Sequence, residues 1–325
     1  MNRLPDEHGC EAEGSPFSAE SPNRPLPGVA SAPVGRGAFS LIELLVVMTL
    51  LSFIIIGLLA VFDQTQRAFK TGMSQVDVLE SGRATMDLIT REVEQMASLT
   101  GLGSNVVNFI AEIPKDNGGN PIYNPLEQEL PGSGFARTNI LQEFFFISRV
   151  NQDWIGTGYF VDGGADGVGQ LFRFSTNVSK RDLNQVLARA GVYDLYELYR
   201  SIDLTNFTRV ADGVIHLKVN TYATNGYLVD PPYVYEFSTN RFSGRVDAFY
   251  DGSAAAVGSV FMDGYLPTTI EIELAVVEPD VWTRIEALPA AGTVRREYLE
   301  TEAGKVHVFR QRVPIRRVDT DAYKQ

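Results

Sequence analysis

The chain has 325 residues, enough for one or two domains with a sizeable core, and its composition, 44% hydrophobic and 21% charged, is that of an ordinary globular protein. A net charge of −12 disfavours nonspecific binding to nucleic acid, whose phosphates it repels, so no nucleic-acid partner is expected. The single cysteine, Cys10, excludes an intrachain disulfide and a thiolate metal cluster.

Residues 1–37 are rich in Pro, Gly, Ser and Glu and lack apolar periodicity, which reads as a leader without a packed fold. An apolar run follows over residues 39–62, with Glu43 as its single charge. Residues 44–62 are nineteen uncharged positions, about 28 Å as a helix, close to the hydrocarbon thickness of a bilayer. The helical pattern then continues in amphipathic form. Phe69, Met73, Val76, Leu79, Met86, Ile89, Val93 and Met96 mark one face, opposite Arg67, Lys70, Asp77, Glu80, Asp87, Arg91, Glu92 and Glu94. No proline interrupts residues 39–100, so one continuous helix is expected, membrane-spanning over 39–62 and amphipathic over 63–99. Its apolar face is expected to pack on the chain's own sheet, with a partner-helix interface as the lesser alternative for its upper half and with Gly57, Gly72 and Gly82 as soft points.

Residues 100–325 have a β-rich texture. Loops are expected at Gly101, Gly103 and over 114–131, and strands over 140–149, 158–161, 170–175, 213–222, 233–238, 268–277 and 307–316. The alternation over 269–276 is that of a strand with one buried face. A helix is expected over 182–200, with Ser179 as N-cap and Asp182 in the capping-box position, and short helices over 281–288 and 293–300. The fold class is α+β: a long N-terminal helix packed on an antiparallel sheet.

Chemistry-bearing motifs are sparse. The glycine-rich stretch 162–169 offers Asp162 and Asp166 to a hard cation, but its spacing is not that of an EF-hand, and a surface turn is the simpler expectation. His216 and His307 stand apart from other ligand types, and the basic stretch 310–317 reads as the solvated face of a terminal strand. No nucleophile elbow, P-loop or zinc-protease motif occurs, so neither enzymatic activity nor a cofactor is expected.

One motif is specific. Gly37-Ala-Phe-Ser-Leu-Ile-Glu-Leu-Leu-Val-Val-Met, residues 37–48, resembles the processing site of type IV prepilins and type II secretion pseudopilins. Residues 82–95 are similar to the helix of J-type minor pseudopilins and related minor pilins, and segments 211–217 and 266–274 resemble strands of the same subgroup. The resemblance implies a pilin-like fold and removal of residues 1–38 by a prepilin peptidase, with Gly37 and Ala38 before the cut. Phe39 would be the new, N-methylated amino terminus and Glu43 the fifth mature residue. The family's usual residue before the cut is glycine, whereas Ala38 stands here; a cut after Gly37 would make Glu43 the sixth residue. The resemblance further implies a single-pass inner-membrane protein with a periplasmic domain, a role in filament assembly, and as partners other pilin or pseudopilin subunits and the assembly platform. Assembly would rest on a Glu43 carboxylate paired with the amino group of a neighbouring Phe39, which sets the stagger between subunits. The alternative from a different class is a single-pass anchored binding or adhesion domain that never polymerises.

Overall fold

The computed structural model describes residues 40–99, 106–114, 125–163, 166–192, 194–222, 226, 228, 246–250, 256–262, 264–289 and 293–316. The chain divides into two units, Met1–Val61 and Phe62–Gln325. The long helix α1 (Leu41–Val93) starts in the first and ends in the second. Every described residue of the first unit is exposed, which suits a segment whose apolar side chains need a solvent other than water. The helix is long and apolar enough to cross a membrane.

In the second unit β1 (Val107–Glu112), β4 (Glu143–Val150), β5 (Asp153–Asp162), β6 (Gly169–Ser179), β7 (Thr208–Tyr222), β8 (Val246–Tyr250), β9 (Ala256–Met262), β10 (Thr269–Val277) and β11 (Val306–Pro314) form one nine-stranded sheet. Its order is β11-β10-β7-β6-β5-β4-β1-β9-β8, and each neighbouring pair is antiparallel. A separate hairpin joins β2 (Leu126–Glu129) to β3 (Ala136–Asn139). The α+β class with a large antiparallel sheet is therefore as expected.

Both faces of the sheet are covered at its centre, as β4 shows. Phe144, Phe145 and Phe146 are all buried, although successive side chains point to opposite faces. Phe144 and Phe146 join Ile89 and Val93 of the long helix, and Met96 just beyond it, in one core cluster. Phe145 and Ile147 face the other way, onto α2 (Leu183–Ala190) and α3 (Leu195–Ser201). A third cluster, around Ile215, Ala275 and Val277, is covered by α4 (Pro279–Ala287) and α5 (Val294–Thr301). A strand buried on both sides reads as a continuous apolar run, which is how β4 reads.

Several elements differ from the sequence expectation. The helix expected over 182–200 is two helices. Gly191 takes a left-handed conformation (φ 71°), and its N–H and that of Val192 close α2 against Ala188 and Leu187. Asp194 then caps α3 by accepting from Glu197 N at 2.8 Å. Ser179 is not an N-cap: it ends β6 and donates to Asp182 at 3.0 Å. The segment 114–131, expected to be loop, contains β2. Its Gln128 is fully buried, donating to Leu299 O at 2.6 Å and accepting from Arg137 at 2.7 Å and Asn139 at 2.9 Å. The strand expected over 233–238 lies outside the described residues.

Candidate assembly site

Glu43 lies in the first turn of α1, whose backbone opens with Leu44 N donating to Ser40 O at 3.2 Å. The unsatisfied N–H groups of a helix start give that end a partial positive charge, which favours a carboxylate there. Further along, Thr49 donates to Val46 O and Ser52 to Met48 O, both at 2.8 Å. Those hydroxyls are satisfied within the helix and can enter hydrocarbon without seeking water. Glu43 differs. It is the only ionisable side chain of α1 before Asp63, and among the described residues it has no ion-pair partner. An unpaired carboxylate in a bilayer costs on the order of 3 kcal/mol. Gly37, Ala38 and Phe39, the residues expected to carry cleavage and methylation, lie outside the described residues.

In the second unit the helix docks through a face rotated from the expected one. Its buried residues are Val78, Gly82, Thr85, Met86, Ile89, Thr90 and Val93. Met86, Ile89 and Val93 were expected there. Phe69, Met73 and Val76 were expected too, but they are 71%, 56% and 60% exposed. Small residues make the difference: a Cβ on Gly82 would overlap the far end of the Phe309 ring on β11, so the helix packs this closely in the present ring position only without that side chain. Gly82 is thus a contact point rather than a soft one. Glu92, placed on the polar face by the sequence pattern, turns inward. It binds Arg173 at 2.6 and 3.0 Å and accepts from the Tyr159 hydroxyl at 2.5 Å. Burial and the Glu92 carboxylate hold that hydroxyl well above the usual tyrosine range, so it stays a donor.

Phe69 and Met73 of this stripe line an open groove of about 1280 Å³ whose lining also includes Glu278, Pro279, Asp280 and Thr283 at the α4 start. Its apolar residues are Phe62, Phe69 and Met73, and its charges include Asp63, Arg67, Lys70 and Asp77. Asp63 and Arg67 already pair with each other at 2.7 Å.

Comparison with family models, with curated proteins and with solved structures finds no match to this chain.

The minor candidates find structural employment. Asp166 pairs with Arg295 at 3.1 Å, and no group of three or more His, Cys, Asp or Glu is placed to hold a metal among the described residues. Arg310 and Arg312 of β11 pair across the register with Glu273 and Glu271 of β10. His307 meets the buried Glu278 at 3.2 Å. His216 accepts from Ile140 N at 3.1 Å, and burial lowers its pKa to about 4, which keeps it neutral. Sequence reasoning missed two polar clusters, Glu92–Tyr159–Arg173 and Glu112–Glu143–Arg200. Glu92 lies more than fifty positions from Tyr159 and Arg173, and Arg200 as far from both glutamates, a separation no local pattern records.

Proposed function

We propose that this chain is a minor pseudopilin or minor pilin, J-like, of a type II secretion pseudopilus or type IV pilus. In this reading it is a filament subunit without catalysis of its own. A prepilin peptidase removes residues 1–38, Phe39 becomes the N-methylated terminus, and the protein waits in the inner membrane with its β-rich domain in the periplasm. It then joins other subunits at the assembly platform through α1.

The observation that carries the reading is Glu43: a lone carboxylate at the first turn of a helix whose next charge is Asp63, with no ion-pair partner among the described residues. A charge so placed calls for a countercharge from outside the chain, and the amino group of a neighbouring Phe39 is of the right sign and at the right depth. Satisfying both charges admits one stagger, so the pair specifies register rather than adding much stability. The exposed stripe of Phe69, Met73 and Val76 supports the same reading, because such a face beyond the span also calls for cover.

The test is a Glu43 series expressed in the native host, scored for membrane level, processed fraction and co-purification with neighbouring subunits. Glu43→Ala should insert and be cleaved at parental levels, since a methyl enters hydrocarbon more readily than a carboxylate. Co-purification should fall roughly tenfold or more, as loss of about 1.4 kcal/mol or more would give. Glu43→Gln should be nearly as damaging and Glu43→Asp intermediate. Parental co-purification of Glu43→Ala would overturn the pairing, and a parent that does not co-purify with neighbouring subunits would favour the non-polymerising anchored binding domain.

A further inference from the structure

Glu112 ends β1, Glu143 begins β4, and the two stand opposite each other in the antiparallel register. Like charges in that position repel, and here the side chains are only 17% and 11% exposed. Their partners all come from one face of α3. Tyr196 donates to Glu112, Tyr199 donates to Glu143 at 3.2 Å, and Arg200 reaches Glu143 at 2.8 Å and Glu112 at 3.9 Å. Residues 196, 199 and 200 share a helical face by their spacing. The neighbouring strands bring no charge: Gly158 of β5 lies under the Tyr199 ring, and Gly258 of β9 is opposite Glu112. Burial holds both tyrosines above their usual range, so they remain donors. One guanidinium therefore faces two carboxylates, and it can balance only one negative charge.

We propose that Glu112, Glu143 and Arg200 form a proton-operated latch for α3: the helix is held on the sheet while the acid pair keeps one proton, and it loosens when both carboxylates ionise. Release uncovers the aromatic surface that Tyr199 closes, which includes Phe145, Phe174 and Phe207. The latch stands whether or not the chain assembles into a filament. Burial first, and the Glu112 charge second, push the Glu143 carboxyl up to about 7 from 4.5, against the smaller opposing pull of Arg200 and Tyr199. A raised acid favours the closed form fully below about 4.5, and that preference is lost as pH rises through about 7. Asp194, at the start of the same helix, is also pushed up, chiefly by burial, and adds a dependence of its own.

The experiment is amide hydrogen exchange on the full chain in detergent micelles, from about pH 5 to about pH 8, corrected for the intrinsic pH dependence of exchange. Protection over Leu195–Ser201 should fall with rising pH, by up to roughly tenfold per pH unit for each proton released, and level off above about pH 7. Glu143→Gln should remove one proton's worth of that slope and leave the Asp194 contribution in place. Glu112→Gln, which removes the like charge while keeping Glu143, should move the release to higher pH tolerance: α3 stays protected over a wider range than in the parent. If Glu143→Gln keeps the parental profile, or, should that variant fail to fold, if Glu112→Gln does, the latch is overturned.

Discussion

Two residues at the seam between the long helix and the sheet make opposite predictions on substitution. Glu92 satisfies both Arg173 and Tyr159 in a partly buried site. Glu92→Ala would strand a guanidinium and a hydroxyl, and we expect a loss of about 3 kcal/mol in urea denaturation of a chain beginning at Arg67. At Gly82 the clash is with the far end of the Phe309 ring, which is only partly buried and can turn. Gly82→Ala should then be nearly neutral, since the helix gains about 1 kcal/mol in propensity. Gly82→Val should cost about 1–3 kcal/mol through overpacking. His216 predicts a pH effect. Its folded pKa lies near 4, below the ordinary 6.5, so its stability contribution is full above about 6.5 and is lost as pH falls toward about 4. His216→Gln should flatten that acid limb in urea midpoints measured across the same range.

At the scale of elements, the sequence was most informative where one local pattern decides. The alternation over 269–276 located β10, the basic stretch located β11, and the uncharged run located the start of α1. It was least informative where distant residues decide. β2 (LEQE) and β3 (ARTN) have no apolar alternation; they are held by each other and by Gln128 bridging to α5. The docked face differs from the apolar one because it includes Gly82, Thr85 and Thr90, small residues that apolar periodicity does not mark. Phe69, Met73 and Val76 are left uncovered as a consequence. A chain beginning at Arg67 should accordingly fold with mixed α/β circular dichroism yet associate as concentration rises, through a stripe of this kind. Phe69→Glu with Met73→Lys should abolish association, read by sedimentation velocity, and leave the urea midpoint unchanged. Association that survives both substitutions would place the contact elsewhere.

For the whole molecule, the division of labour follows from composition. The charge-free part of α1 has no buried residue within the chain, and Phe62–Gln325 carries the cores and the ion-pair networks. Of the candidate site, Glu43 was legible because a single charge in a long apolar run stands out in any reading. The residues expected to be cut and methylated, Gly37, Ala38 and Phe39, are legible in the sequence alone. In the proposed reading this chain is a processed subunit whose Glu43 meets the new amino terminus of a neighbouring subunit. Mass spectrometry of the intact protein from its native membrane tests that most directly. The expected result is a chain that starts at Phe39 and carries one methyl group on its amino nitrogen. A mature protein that retains Met1, or that starts at any residue leaving Glu43 away from the fifth position, would contradict it.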